Sequence, residues 1–204
     1  MEINPDNLES RQRYKLMVGG VVPRPIAFVS TCDENGVRNL APFSFYNAVC
    51  FNPIILAFFP VRYKQDRELK DTARNIKQTG EFVINASTES LAGQINTSSG
   101  RYKAGVDEFE ITGLTAIPSE KITPPGVKES PIQFECRLEQ MVALGEDQGG
   151  ADAVFGRVVH IRIADEMIQD FRIDENKLRP LARLAGSSYS TLGNVFDLER
   201  PVIK

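Results

Sequence analysis

The chain of 204 residues has one histidine, three cysteines and no apolar run near the ~20 residues that a membrane span requires. Each shortage removes a class of function. One histidine, His160, cannot build a multi-histidine metal site. Cys32, Cys50 and Cys136, odd in number and without a Cys-x-x-Cys pair, give neither a disulfide framework nor a zinc site. The thiols are expected to be reduced, with Cys32 either a space-filling residue or a reactive one. No Gly-x-Gly-x-x-Gly follows the first strand signal and no Gly-x-x-x-x-Gly-Lys-[Ser/Thr] occurs, which disfavours a Rossmann site and a P-loop. A serine triad through His160 would lack the Gly-x-Ser-x-Gly turn. A net charge of −3 without a dense basic run leaves no footprint for nucleic acid or an acidic membrane, so small-molecule partners are favoured. The start of the chain, with Glu2, Asp6 and Glu9, has no secretory pattern, and a cytoplasmic location is expected.

What remains is ordinary globular material, 42% hydrophobic and 25% charged, read as a single domain over residues 1–204. Strand signals dominate, at residues 26–31, 37–40, 44–49, 54–59, 81–85, 131–144 and 154–164. The first, fourth and last are apolar on both faces, which predicts a closed or two-sided sheet and, most economically, a β-barrel with peripheral helices. One helix is predicted over residues 69–80, where Leu69, Thr72, Ala73 and Ile76 repeat at helical spacing, Asp71 caps the start and Gly80 stops it. A second is predicted over 87–96, with Ser87 as cap and Leu91 and Ile95 on one face. Residues 98–105 read as a mobile loop and 118–131 as an extended connection. The core spans about residues 17–165. Residues 174–204, with Leu178, Pro180, Leu181, Leu184 and Tyr189, are too apolar for a free tail and should pack on the body or on a second subunit.

Two groups of residues carry chemistry. From Pro23 to Asn52 a Pro-Arg-Pro opening leads into a strand ending in Ser30 and Thr31, a turn at 33–36, and then Asn39, Ala41, Pro42, Ser44, Phe45 and Asn47. Small, hydroxyl and amide groups beside rigid backbone suit a flat polar ligand, and a plain core hairpin does not need them. The second group, Lys70, Asp71, Thr72 and Asn75, lies at a predicted helix start, where unpaired N–H groups, the helix dipole and a lysine favour an anion. The plainer alternative is that Asp71 caps the helix and Lys70 is solvated.

In order and spacing these pieces resemble the flavin reductase-like family with an FMN-binding split β-barrel, in particular its longer, flavoredoxin-type members. The similarity runs through Pro23-Arg24-Pro25-Ile26-Ala27, Asn39 to Phe45, Lys70-Asp71-Thr72, Asn75-Ile76, residues 81–85, 105–109 and 156–160, and Arg183-Leu184-Ala185-Gly186 with Tyr189. Ala185 stands where the family has a glycine, a type suited to positive φ. The resemblance implies an FMN-binding split barrel and a homodimer with the cofactor near the interface. Residue by residue, it implies that Ser30, Thr31, Asn39, Ala41, Pro42, Ser44 and Phe45 line the flavin and that Lys70, Asp71 and Thr72 hold its phosphate. Arg24 either pairs with the phosphate or braces a loop through an internal carboxylate. His160, expected to share a strand face with Val158 and Arg162, either positions a nicotinamide beside the flavin or is structural. Arg183 and Tyr189 divide between substrate contact and interface packing.

The activity so implied is NADH- or NADPH-dependent hydride transfer to FMN, followed by electron delivery to free flavin, oxygen, a partner protein or a partner oxygenase. Residues 98–105 are a candidate gate for such a site. A flavoredoxin-type electron carrier that makes no direct use of nicotinamide is the alternative, and a flavin-binding barrel without turnover a third possibility.

Overall fold

The computed structural model describes residues 1–62, 69–145 and 148–203. Seven strands, β2 (Ala27–Cys32), β3 (Arg38–Phe43), β4 (Tyr46–Phe51), β5 (Ile54–Phe58), β6 (Glu81–Ala86), β9 (Ile132–Leu144) and β10 (Ala151–Ile163), form an antiparallel sheet of order β3-β2-β6-β9-β10-β5-β4. Three small sheets accompany it. A strand β1 (Arg24–Pro25) is joined to β13 (Ala182–Arg183) and through it to β14 (Tyr189–Ser190), β7 (Ala116–Ile117) pairs with β8 (Gly126–Val127), and β11 (Ile168–Gln169) with β12 (Arg172–Ile173). The helices are α1 (Ser10–Gly20), α2 (Asp71–Thr79), α3 (Ala92–Ser98), α4 (Glu108–Thr112) and α5 (Glu175–Leu178). Among the described residues no helix is long and apolar enough to cross a membrane.

Every residue of β2 is buried because the strand has a core on each side. Its alternation sends Ala27 and Val29 into one cluster with Phe43, Leu56, Phe58, Phe82, Ile84, Val154 and Ile76 of α2. Phe28 faces a second cluster that holds Leu40, Leu91, Ile95, Phe109 and Leu181. The sheet curls about the first cluster: the Phe58 ring lies 5.0 Å from Phe43 and 5.6 Å from Phe82, which brings β5 against β3 from the far side of the strand order. Among the described residues the curl is not sealed by hydrogen bonds, since β3 and β4 end the order of the sheet. The fold is mainly β with helices, a curled sheet with no closed barrel among the described residues.

Helix α2 buries Thr72, Ala73, Asn75 and Ile76, the face its spacing predicts, and Gly80 ends it at φ +71° with its N–H on Ile76 O. The start differs from the reading. Lys70 is the N-cap, no described side chain caps the helix, and Asp71 lies inside the first turn, paired with Arg74. The second predicted helix is a 3-10 turn, Glu89–Leu91, running into α3, and Ser87 does not cap it because its hydroxyl donates to Ile26 O. Residues 118–130 are clamped over the outer face of the sheet by Ser30, Glu81, Asn85, Gln133 and Glu135, each bonded to a backbone group of the segment. The C-terminal segment has an internal partner that the sequence did not reveal: Ala182 and Arg183 pair with β1, Pro180 bridges Thr88 and Leu181 is buried.

Candidate functional site

The start of α2 meets the ends of β2 and β3 in a square of polar side chains. Thr31 and Asn39 stand opposite each other in the β2–β3 register and project toward the helix. Asn39 Nδ2 donates to Thr72 Oγ1 at 2.8 Å and Asn75 Nδ2 to Thr31 Oγ1 at 3.1 Å, all four residues being buried. A cross-strand pair thus engages residues three apart on the helix, the spacing that puts two side chains on one helical face. Both threonine oxygens act as acceptors here, so each hydroxyl proton is left to donate elsewhere.

Lys70 completes this end. Its ammonium lies 5.2 Å from the centroid of Phe43, and its pKa is lowered to about 8, first by burial and then by the nearby charge of Arg101 on the loop after α3. Two cations are thus held near a helix start whose first N–H groups no described side chain caps, an arrangement complementary to a phosphate or carboxylate. Nearby, Glu108 accepts the Leu40 N–H at 2.9 Å, and burial pushes its carboxyl pKa up. Arg38 binds Asp107 with its Nε at 2.6 Å. A polar cleft of about 180 Å³ adjoins the square, lined by Asp33, Arg38, Asn39, Asp71, Arg74 and Asn75. A roomier hollow of about 790 Å³ lies elsewhere, against Gln133, Arg162, Met167 and Arg179. It contains none of the expected site residues, and Arg162, Lys177 and Arg179 on its wall already have acidic partners.

The remaining expected residues scatter. Ser30, next to Thr31, points to the opposite face, where its hydroxyl donates to Pro125 O at 2.6 Å and accepts from Asn85. Ala41 packs against the inner core, and Pro42, Ser44 and Phe45 are half-buried along β3 and its turn into β4, at the open edge. Among the described residues Arg24 has no carboxylate partner. Its buried guanidinium donates to three backbone carbonyls, Val18 at 2.7 Å, Val21 at 2.5 Å and Leu184 at 2.9 Å, and sits 5.9 Å over Phe45. Cys32 is buried with its thiol pKa raised by that burial, which makes it a space-filling residue.

His160 does not share the face of Val158. A β-bulge between Val158 and His160 shifts the register, so that Val158 packs on the inner core while His160 turns to the outer face with Arg162. Its Nδ1 lies 3.2 Å from Oε1 of Glu135, an ionic contact only when the ring is protonated and not aligned as a hydrogen bond. Glu135 in turn accepts the N–H groups of Glu120 and Lys121. Arg183 stacks on Tyr189 at 4.3 Å and donates to Gly186 O and Ser188 O, a self-contained turn. The positive φ of this turn falls on Gly186, at +62°, and not on Ala185, so the alanine fits its backbone.

Arg101, Arg74 and Glu108 belong to the neighbourhood of the square and were not singled out in the sequence. Arg101 lies in a polar loop 31 residues from Lys70, where no periodicity signals proximity. Glu108 follows Asp107, the N-cap of α4, and that cap is the one local cue.

Residues 18–182 match the family model described as a flavin reductase like domain. The chain is 43% identical over 205 residues to the uncharacterized protein BH2278 of Halalkalibacterium halodurans, covering 100% of this chain and 98% of that protein. Among solved structures, nitrilotriacetate monooxygenase component B from Bacillus cereus superposes with a TM-score of 0.93 at 40% identity, covering 97% of this chain and 98% of that one. The 2-nitrobenzoate 2-nitroreductase NbaA of Pseudomonas fluorescens follows at 0.88 and 28%, covering 98% and 96%. Flavoredoxin of Desulfovibrio vulgaris (Miyazaki F), at 0.74 and 21%, covering 87% and 91%, shares the split-barrel fold.

Proposed function

Because the chain belongs to the flavin reductase-like family, we propose that it is an FMN-binding oxidoreductase that takes a hydride from NADH or NADPH. The observation that carries the mononucleotide is the uncapped start of α2 beside Lys70 and Thr72. Its N–H groups, which no described side chain caps, the hydroxyl and the ammonium supply the donors that a terminal phosphate needs. Bound FMN supplies the hydride acceptor. Thr31 and Asn39 hold the helix start in place through Asn75 and Thr72, so the phosphate site is preorganised by buried hydrogen bonds. The half-buried run of Ala41, Pro42, Ser44 and Phe45 at the open edge offers the flat wall.

The resemblance at 40% identity to a monooxygenase component B favours reduced flavin, or its electrons, passing to a separate oxygenase. A homodimer belongs to the same reading. The accessible surface is 12948 Å², against about 9,500 Å² for a compact monomer of this mass. The excess is about 3,400 Å² per chain, or about 6,800 Å² for two, more than the roughly 2,000–5,000 Å² that permanent dimers commonly bury in total, so a dimer interface accounts for part of it.

Two measurements test the proposal. Fluorescence titration should give tighter binding of FMN than of riboflavin, and equal affinities would remove the phosphate assignment. Anaerobic stopped-flow mixing with NADH and NADPH should bleach the bound flavin rapidly with at least one of them. Bleaching by neither would leave a flavoredoxin-type carrier.

A further inference from the structure

Three apolar segments of this chain are left uncovered, and the elements they spring from are linked through β1. The first is α1 with the residues after it. An 11-residue helix is marginal without a packed face, yet α1 buries only Val18 and exposes Tyr14, Leu16 and Met17, followed by exposed Val21 and Val22. The second is the tip of the β4–β5 hairpin, where Val49 and Ile54 are exposed and Phe51 is 90% exposed. The third is the end of the chain. Residues 191–203 leave β14 without secondary structure, and among the described residues none forms a hydrogen bond or ion pair with the body. They nevertheless carry Leu192, Val195, Phe196, Leu198, Val202 and Ile203, with Phe196 75% and Ile203 94% exposed. So apolar a composition is not that of a tail adapted to water.

The segments converge at β1. The root of the tail, β14, pairs with β13, and β13 pairs with β1. Arg24 on β1 binds the carbonyls of Val18 and Val21 at the end of α1 and of Leu184 beside β13, and β1 also adjoins β4. The tail therefore leaves the body two strands from β1, the strand that joins the end of α1 to β4.

We propose that residues 191–203 form an arm that packs on a second copy of this chain, over the exposed apolar faces of its α1 and β4–β5 hairpin. The inference rests on the dimeric reading above and adds what holds the dimer together. In a two-fold assembly one chain supplies both the arm and the surface that receives it, so each arm covers the other protomer and the contact closes on itself. Fully extended, 13 residues span about 43 Å, enough to cross a neighbour whose radius of gyration is about 17 Å for 204 residues. The surface excess of the isolated chain fits such a partner better than a small ligand or a short peptide, which would leave most of it uncovered.

The test compares the full chain with a variant ending at Ser190 and with Phe196→Asp, which leaves the rest of the arm in place. Sedimentation velocity over a dilution series gives the dimer dissociation constant, and circular dichroism establishes that each variant is folded. Both changes should raise that constant by about 100-fold or more, while thermal melting of the dissociated protein stays unchanged. Amide hydrogen exchange of residues 191–203 should slow only at concentrations where the dimer forms. A full-length monomer would end the dimeric reading and the arm with it. Dimers of equal affinity with and without the arm would overturn the arm alone, as would exchange protection of the arm in dilute monomer, which would mean that it folds back on its own body.

Discussion

If Lys70 binds the phosphate of FMN, the affinity has to depend on pH in a particular way. In the free protein the Lys70 pKa is lowered from 10.5 to about 8 by burial and, secondarily, by Arg101. The protonated form binds the anion, so affinity should be level between pH 7 and pH 8 and then fall, approaching tenfold per pH unit, until the raised pKa of the complex is reached. Above pH 7 the phosphate is a full dianion and adds no titration of its own. Riboflavin, which lacks the phosphate, should show no such fall. The same shift sets the stability of the unliganded protein. A lysine whose folded pKa lies below its unfolded value costs stability while it is charged, and that cost is relieved as pH rises from 8 toward 10.5. The shift corresponds to about 3 kcal/mol at most. Lys70→Met should therefore weaken FMN by about 10- to 100-fold at pH 7, or 1–3 kcal/mol, abolish the decline above pH 8, and make the unliganded protein more stable at pH 7. Fluorescence titration from pH 6 to pH 10, with chemical denaturation in parallel, reads all three. FMN affinity that stays flat through pH 10, or a riboflavin profile that falls alongside it, would refute the reasoning.

Two further outcomes test the remaining assignments. Since His160 faces Glu135 and the clamped segment rather than the polar square, His160→Ala should lower thermal stability yet leave the rate of flavin reduction per loaded molecule within about twofold, whereas a loss near tenfold with flavin bound, about 1.4 kcal/mol, would return it to the nicotinamide. At Gly156 a Cβ would fall 2.2 Å from Phe82 Cζ and 3.1 Å from Cys136 Cβ, so Gly156→Ala should destabilise the protein by about 1–3 kcal/mol and lower Tm by about 2–4 °C for each kcal/mol; an unchanged melting curve would show that the buried Phe82 ring moves freely.

The main sheet was readable because two-residue alternation survives in a chain that buries each strand on one or both faces. Its strands begin and end within a few residues of their expected limits, and the deviations have causes. Strand β3 continues through Pro42, where the reading stopped at 40, because β3 is an edge and the missing N–H of proline is tolerated there. The β1–β13 pairing was not readable. Two-residue strands carry no period, and the partners Arg24 and Arg183 are far apart in sequence. The bulge before His160 likewise has no local signature, and a single extra residue was enough to move the histidine to the other face.

The site shows the same limit at finer scale. Ser30 and Thr31 look equivalent in sequence, two hydroxyls at the end of one strand, yet neighbours on a strand face opposite ways and only Thr31 reaches α2. The residue that joins Thr31 at the helix is Asn39, its cross-strand partner, and the two helical residues that receive them are Thr72 and Asn75. Sequence supplied all four residue types but not their pairing, because the pairing depends on a strand register and a helix phase that meet only once the sheet has curled. A slip of one residue in the β2–β3 register would replace Asn39 with Leu40 or Arg38 opposite Thr31 and leave Thr72 without its donor. The proposed phosphate site therefore rests on register as much as on Lys70: the lysine supplies charge, but the two strand-to-helix hydrogen bonds decide where the helix start is held.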